Sequence, residues 1–164
     1  MMSLTADIER EVARLGELSN AGFAIACHIR FNRPDFLFQT YRRDWIDRYS
    51  DEGLVMHDPI VRWGFANEGW IRWAELDDPP GGVLERARAY DMKHGIALGH
   101  LWGGSRSVGG FARSDRDFTD AEAGAVANAM DALHRITLQA GRISPAVHAE
   151  LRAMSIGYVH GASV

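Results

Sequence analysis

Apolar positions fall into a readable order along the chain. Ile8, Val12, Leu15 and Leu18 recur at steps of three and four, which predicts an amphipathic helix over about 5–18 with one buried stripe. Asn20 to Gly22 ends it, and Phe23 to Ile29 reads as a mostly buried strand. Asn32-Arg33-Pro34-Asp35 is a turn signal, so a second strand over 36–41 would close a hairpin. A short helix follows through Trp45 and Tyr49, with a break near Gly53. Asp58-Pro59, an acidic cap before a first-turn proline, opens another helix over 59–66.

Asn67-Glu68-Gly69 is a further break, and Pro79-Pro80-Gly81-Gly82 a strong one. Val83 to His94 reads as a helix closed by Gly95. Segments 96–102 and 107–114 read as paired strands. Thr119 and Glu122 form a capping box that starts a long helix to about Ala140, its stripe drawn from Ala123, Val126, Ala127, Met130 and Leu133. There is no internal repeat. The order of elements predicts an α/β fold, an α-β-α sandwich with a central, mainly antiparallel sheet of about five strands, helices on both faces and room for an interior cavity.

Composition narrows the function. The 164 residues are 46% hydrophobic and 24% charged, a normal globular mixture for one domain. The net charge of −4 offers nucleic acid no general attraction. No apolar run approaches the roughly 20 residues that cross a bilayer, and the first residues carry no secretion signal. Cys27 is the only cysteine, which fits a reducing cytoplasm and reads as a buried core residue. The seven histidines show no metal-binding spacing, so neither a metal nor another cofactor is expected. Serine elbows, phosphate loops and paired catalytic carboxylates are missing as well, and an enzyme is not expected. The remaining enzyme reading is one that acts on a small acyl compound without a patterned motif.

The candidate chemistry lies between Tyr41 and Trp73. Tyr41, Trp45 and Tyr49 stand at intervals of four, along one helix face. Asp58 begins the next element, and Trp70 and Trp73 follow. Such a stripe serves equally as plain core with a capping aspartate. Buried tyrosine and tryptophan nevertheless need partners for their polar atoms, and a buried carboxylate must be paired. Together they make an apolar wall with fixed donors and one strong acceptor, which suits a small amphiphile. His57 either lines the same site or is exposed.

The series Tyr41-x3-Trp45-x3-Tyr49, then Gly53, Asp58-Pro59 and Trp73, resembles the signature of LuxR-type autoinducer-binding domains. Gly95-x3-Gly99 resembles that family's next glycine pair. The likeness runs from Tyr41 to about Ser114 and implies a sensor of an N-acyl-homoserine lactone or similar amphiphile in a quorum-sensing transcription regulator. It implies that Trp45 donates to the lactone carbonyl, Asp58 accepts from the amide N–H, Tyr41 donates to the acyl carbonyl, and Tyr49 and Trp73 form aromatic walls.

Three departures stand out. His100-Leu101-Trp102-Gly103 replaces a Ser or Thr followed by proline, Phe111 or Arg113 falls where a hydroxyl is usual, and position 46 is Ile where some members use arginine. Trp102, Phe111 and Arg113 therefore join the candidate ligand-binding residues. If they point inward, they crowd out a long tail, and Arg113 either pairs with Asp58, receives an acidic ligand, or reaches to solvent.

Residues 1–141 are read as the sensor domain. Over 142–164, Ser144-Pro145, Leu151-Arg152 and Gly157 resemble the opening of a helix-turn-helix domain, cut off before a recognition helix. DNA binding would belong to the intact regulator. A homodimer is implied by the resemblance, and the small residues of the last helix fit either a dimer contact or docking onto the domain's own sheet. An orphan or truncated regulator that dimerises without ligand is the alternative.

Overall fold

The structure is a computed structural model that describes residues 4–31 and 33–143, together with residue 149. Residues 144–148 and 150–164, on which most of the helix-turn-helix expectation rests, lie outside the described residues, as does the small N-terminal tip.

Five strands form one antiparallel sheet in the order β2-β1-β5-β4-β3, with β1 Phe23–Arg30, β2 Arg33–Gln39, β3 Gly69–Arg72, β4 His94–Trp102 and β5 Ser105–Arg113. One face is packed by α1 (Leu4–Leu18) and α5 (Asp120–Ile143), the other by α2 (Arg43–Asp51), α3 (Pro59–Ala66) and α4 (Val83–Ala87). The expected sandwich is the observed one.

Alternation along the strands assigns each face its own core. Phe23, Ile25 and Cys27 of β1, Ile96 and Leu98 of β4 and Phe111 of β5 meet Ile8, Leu15, Val126, Met130 and Leu133 from α1 and α5. Ala97 and Ala112 turn the other way, toward Tyr41, Trp45, Ile60 and Trp73. Burial pushes the Cys27 thiol up to about 12, so it is inert packing.

Local signals explain the boundaries. Asp58 accepts the Ile60 amide at 2.8 Å and starts α3 at Pro59, as expected. Thr119 and Glu122 exchange the reciprocal bonds of a capping box at 2.9 and 3.1 Å.

Three expectations are corrected. The expected 32–35 turn is shorter, because Pro34 is accommodated as the second residue of edge strand β2, paired with Ile29 near the hairpin end. The break at Gly69 begins strand β3, paired with β4 from Gly69↔Gly99 to Arg72↔Ile96. The helix expected over 83–94 stops at Ala87, followed by a 3-10 turn (Arg88–Tyr90), and Asp91 rather than glycine takes the left-handed position, at φ 67°. Gly95 belongs to β4, where a Cβ would sit 2.3 Å from the Trp73 ring, so glycine is there for close approach.

Candidate ligand-binding cavity

A cavity of about 330 Å³ lies between the sheet and the α2–α4 layer. Its floor exists because β1 and β5 present small groups on this face. Ala24 and Ala26 alternate with the large Phe23 and Ile25, and Gly110 lies opposite Ala24. Glycine at 110 also admits Tyr41: a Cβ there would stand 3.2 Å from the phenol oxygen and 3.4 Å from Ile60.

Tyr41 follows β2, is buried, and donates to the Gly110 carbonyl at 3.0 Å. Trp45, one turn into α2, is 3% exposed, with its ring 6.0 Å from Tyr49 and 5.2 Å from Tyr90. Asp58 is also buried. Its Oδ1 caps α3, and its Oδ2 accepts from the Tyr49 hydroxyl at 2.7 Å. Tyr49 is thus the clamp of the carboxylate as well as an aromatic surface. Trp73, in the 3-10 turn Trp73–Glu75, closes the cavity over Gly95, and its indole N–H has no hydrogen-bond partner among the described residues.

Burial holds the Asp58 carboxyl above its ordinary value, while the bonds from Tyr49 and the Ile60 and Val61 amides pull it back. Burial first, then the Asp58 charge, raises both Tyr41 and Tyr49, so both remain neutral donors. Among the described residues lining the cavity there is no lysine, arginine or histidine, and Asp58 is the one carboxyl group. The electrostatics disfavour an anion and favour a neutral ligand with an N–H or O–H to give. Three of the roughly four lone-pair sites of a carboxylate are taken by Tyr49 and the Ile60 and Val61 amides, so Asp58 keeps one site to accept from a ligand.

Tyr41, Trp45, Tyr49, Asp58 and Trp73 therefore converge on one cavity. Trp102, Phe111 and Arg113 do not. Phe111 points to the opposite face and stacks on Phe23 at 5.9 Å. Arg113 shares that face; it donates to the Leu18 carbonyl at 2.9 Å and pairs with Asp115 at 3.0 Å, not with Asp58. The Trp102 ring lies against His134 of α5, with the Arg135 guanidinium 3.9 Å from its centroid. The crowding inferred for a long tail disappears with them. His57 is exposed and outside the lining. The sequence reading missed the floor, whose signals were the small-large alternation of β1 and the Gly109-Gly110 pair inside a strand. It also missed Val83, Leu84 and Met92, which no motif marks.

Such a hollow between a sheet and short helices, with polar groups at one end, defines a small-molecule sensor domain. The autoinducer binding domain family matches residues 10–140, and the chain belongs to that family. It is a family of ligand-binding regulator domains of the LuxR type, not an enzyme family. No curated protein matches the sequence.

Solved structures with the same fold include SdiA in complex with octanoyl-rac-glycerol (TM-score 0.59, 18% identity, 87% of this chain and 60% of that one). CepR2, an N-acylhomoserine lactone dependent LuxR family transcription factor from Burkholderia cenocepacia, gives a TM-score of 0.51 at 16% identity over 82% of this chain and 93% of that one. Residues 1–171 of Escherichia coli SdiA in solution give 0.56 at 16% identity, over 91% and 86%. The chain thus spans 60% of the SdiA chain of the octanoyl-rac-glycerol complex. Among the described residues no helix is long and apolar enough to cross a membrane.

Proposed function

We propose that this sensor domain takes a neutral acyl amphiphile, an N-acyl-homoserine lactone or a close relative, into the α2–α4 cavity, and that the intact regulator reads its presence in the cytoplasm. The observation that carries the reading is the buried Asp58–Tyr49 pair at the end of an apolar cavity whose lining holds no basic side chain. In this reading Asp58 accepts from the ligand amide, Trp45 donates to the lactone carbonyl, and the tail lies along Ala24 and Ala26. Tyr41 must turn its O–H away from the Gly110 carbonyl to donate to the acyl oxygen, exchanging one bond for another. Trp102, Phe111 and Arg113 take no part.

The reaction is binding without turnover. Dimerisation of the domain and DNA contact through a following helix-turn-helix segment would carry the signal onward, the ligand favouring the DNA-competent arrangement. The test is a thermal melt with and without lactone, followed by recovery of the compound. Stabilisation by several degrees with the lactone returned intact supports the reading, and a hydrolysed product would replace it with the enzyme.

One observation favours a ligand-independent variant of this reading. Asp58 and Tyr41 already have partners inside the domain, so the ligand-free fold leaves neither of them orphaned. A regulator of that kind would melt at the same temperature with or without every lactone offered.

A further inference from the structure

The inward side of α5 changes character along its length. Ala123, Val126, Ala129, Met130 and Leu133 enter the apolar core shared with α1. Beyond Leu133 the buried positions are His134, Thr137 and Leu138, so polar contacts hold much of the second half. That half rests on the β4–β5 hairpin. Leu138 covers the turn at Gly103, where a Cβ would stand 2.7 Å from its methyl, and His134 reaches the Trp102 carbonyl at 3.0 Å.

Strand alternation would send His28 of β1 to the cavity face, with Ala24 and Ala26. Its backbone takes the left-handed conformation instead, at φ 57°, which turns the side chain to α5 and leaves Ile29 to line the cavity. Such strain in a residue other than glycine persists where the surroundings fix it. The His28 ring stands 2.8 Å from Thr137 Oγ1 and 2.7 Å from Ser105 Oγ, and its centroid is 4.5 Å from that of His134. His100 of β4 meets His134 edge-on, at 4.7 Å between centroids. Three imidazoles from β1, β4 and α5 thus share one joint.

The bonds fix the proton of His134. The Trp102 carbonyl only accepts, so Nε2 carries the hydrogen and Nδ1 accepts from the Ser107 hydroxyl at 2.7 Å. Ser107 is fully buried and already accepts from the His28 amide at 3.1 Å. A second proton on His134 would set an N–H against that hydroxyl and turn its hydrogen toward the Cys27 sulfur, a weak acceptor. Burial opposes the added charge first; the Trp102 carbonyl and Asp131 favour it, while His100 and Arg135 oppose it. Asp131 is shared, 2.8 Å from both His100 Nε2 and Arg135 Nε. Of the other elements at this face, β2 brings Asp35, paired with Arg30 at 3.4 Å. Helix α1 carries the buried Glu11 and also Asp7, paired with Arg10 at 3.5 Å.

We infer that His28, His100 and His134 form an acid-sensitive latch, which docks the second half of α5 on the β4–β5 hairpin in neutral conditions and releases it in mildly acid ones. His134 is the sensing ring, and His28 anchors Thr137. His100 and Asp131, both half-buried, open the joint to solvent. A released helix takes up the proton that the docked one refuses. Docking is therefore complete above the ordinary histidine value of 6.5 and weakens as the pH falls below it. The latch lies on the sheet face opposite the cavity, so it is an input that does not pass through the ligand. Residues 144–164 follow α5, and the undocking acts where the domain joins them.

The test is hydrogen–deuterium exchange of the full chain from about pH 7.5 to about pH 5.5, corrected for the direct effect of pH on amide exchange. The inference predicts that opening of residues 133–139 becomes up to about tenfold more frequent per pH unit below 6.5, while residues 120–130 keep their protection. His134→Gln, whose amide can still donate to the Trp102 carbonyl and accept from Ser107, should stay docked across the range. Nitrogen NMR of the native chain decides the matter even if that variant fails to fold. The docked state should show His134 as the neutral Nε2–H ring, gaining its proton only as residues 133–139 lose protection. Opening that ignores pH, a loss that spreads equally to residues 120–130, a His134→Gln variant that opens like the native chain, or a protonated His134 in a helix still protected would each overturn the latch.

Discussion

The two faces of the sheet are built from the same strands yet solve opposite problems. Under α1 and α5 the strands place Phe23, Ile25, Ile96, Leu98 and Phe111, and the helices fill what remains. Under α2–α4 they place Ala24, Ala26, Gly110 and Ala112, and the bulk comes from aromatics on the helix side, which does not fill the gap. Close packing is the rule in protein interiors, so a cavity kept open by small residues on adjacent strands is a feature with a use. The lesson is that volume was moved from the strands to the helices on one face only, leaving a hollow with aromatic walls.

Breaking the filled face should have the largest effect. Phe111→Ala removes a fully buried ring stacked on Phe23, and urea unfolding should show a loss of about 3–5 kcal/mol. Leu84→Ala, at a half-buried residue already facing empty space, should cost far less, about 1 kcal/mol, because little new cavity is made. Equal losses at the two positions would contradict the contrast between the faces.

Asp58→Asn sharpens the same contrast through binding. Loss of the charged acceptor should weaken a lactone by about 1.5–3 kcal/mol, read as Kd. The ligand-free protein should not suffer equally. Burial raises the Asp58 value in the folded state, so its ionisation opposes folding once the pH passes the ordinary carboxyl value of 3.8, and the asparagine variant should lose that part of the pH dependence.

A smaller effect is expected from the polar knot on the filled face. His28 contacts Ser105 at 2.7 Å and Thr137 at 2.8 Å, while His134 contacts Ser107 at 2.7 Å and the Trp102 carbonyl at 3.0 Å. His100, Asp131 and Arg135 stand beside them. Burial lowers His134 from its ordinary 6.5, so the unfolded chain takes up the proton first as the pH falls. Stability from this group is complete above about 6.5 and declines below it. Melting curves from neutral pH to about pH 5 should fall more steeply for the native chain than for His134→Gln.

Much of this was legible in the sequence, for local reasons. Asp58-Pro59 and the Thr119/Glu122 box are signals contained within a few residues, and both helices start where they say. The aromatic series at intervals of four lines one cavity, but Tyr41 precedes α2, so the single helix face expected for all three holds only for Trp45 and Tyr49. Strand β3 was hidden because its four residues are held by pairing with β4, a contact far along the chain. The inward assignment of Phe111 and Arg113 failed because a strand's facing depends on register, and Gly109-Gly110 erases the size alternation that would reveal it. Trp102, Phe111 and Arg113 share one parity with the filled face, and only the sheet shows it.

The most direct test of the account is a thermal-shift comparison of the native chain, Asp58→Asn and Arg113→Ala with one long-tailed N-acyl-homoserine lactone. The account predicts a ligand-induced rise in Tm for the native chain and for Arg113→Ala, and little or none for a folded Asp58→Asn. A rise kept in Asp58→Asn, or lost in a folded Arg113→Ala, would place the ligand away from the α2–α4 cavity and contradict it.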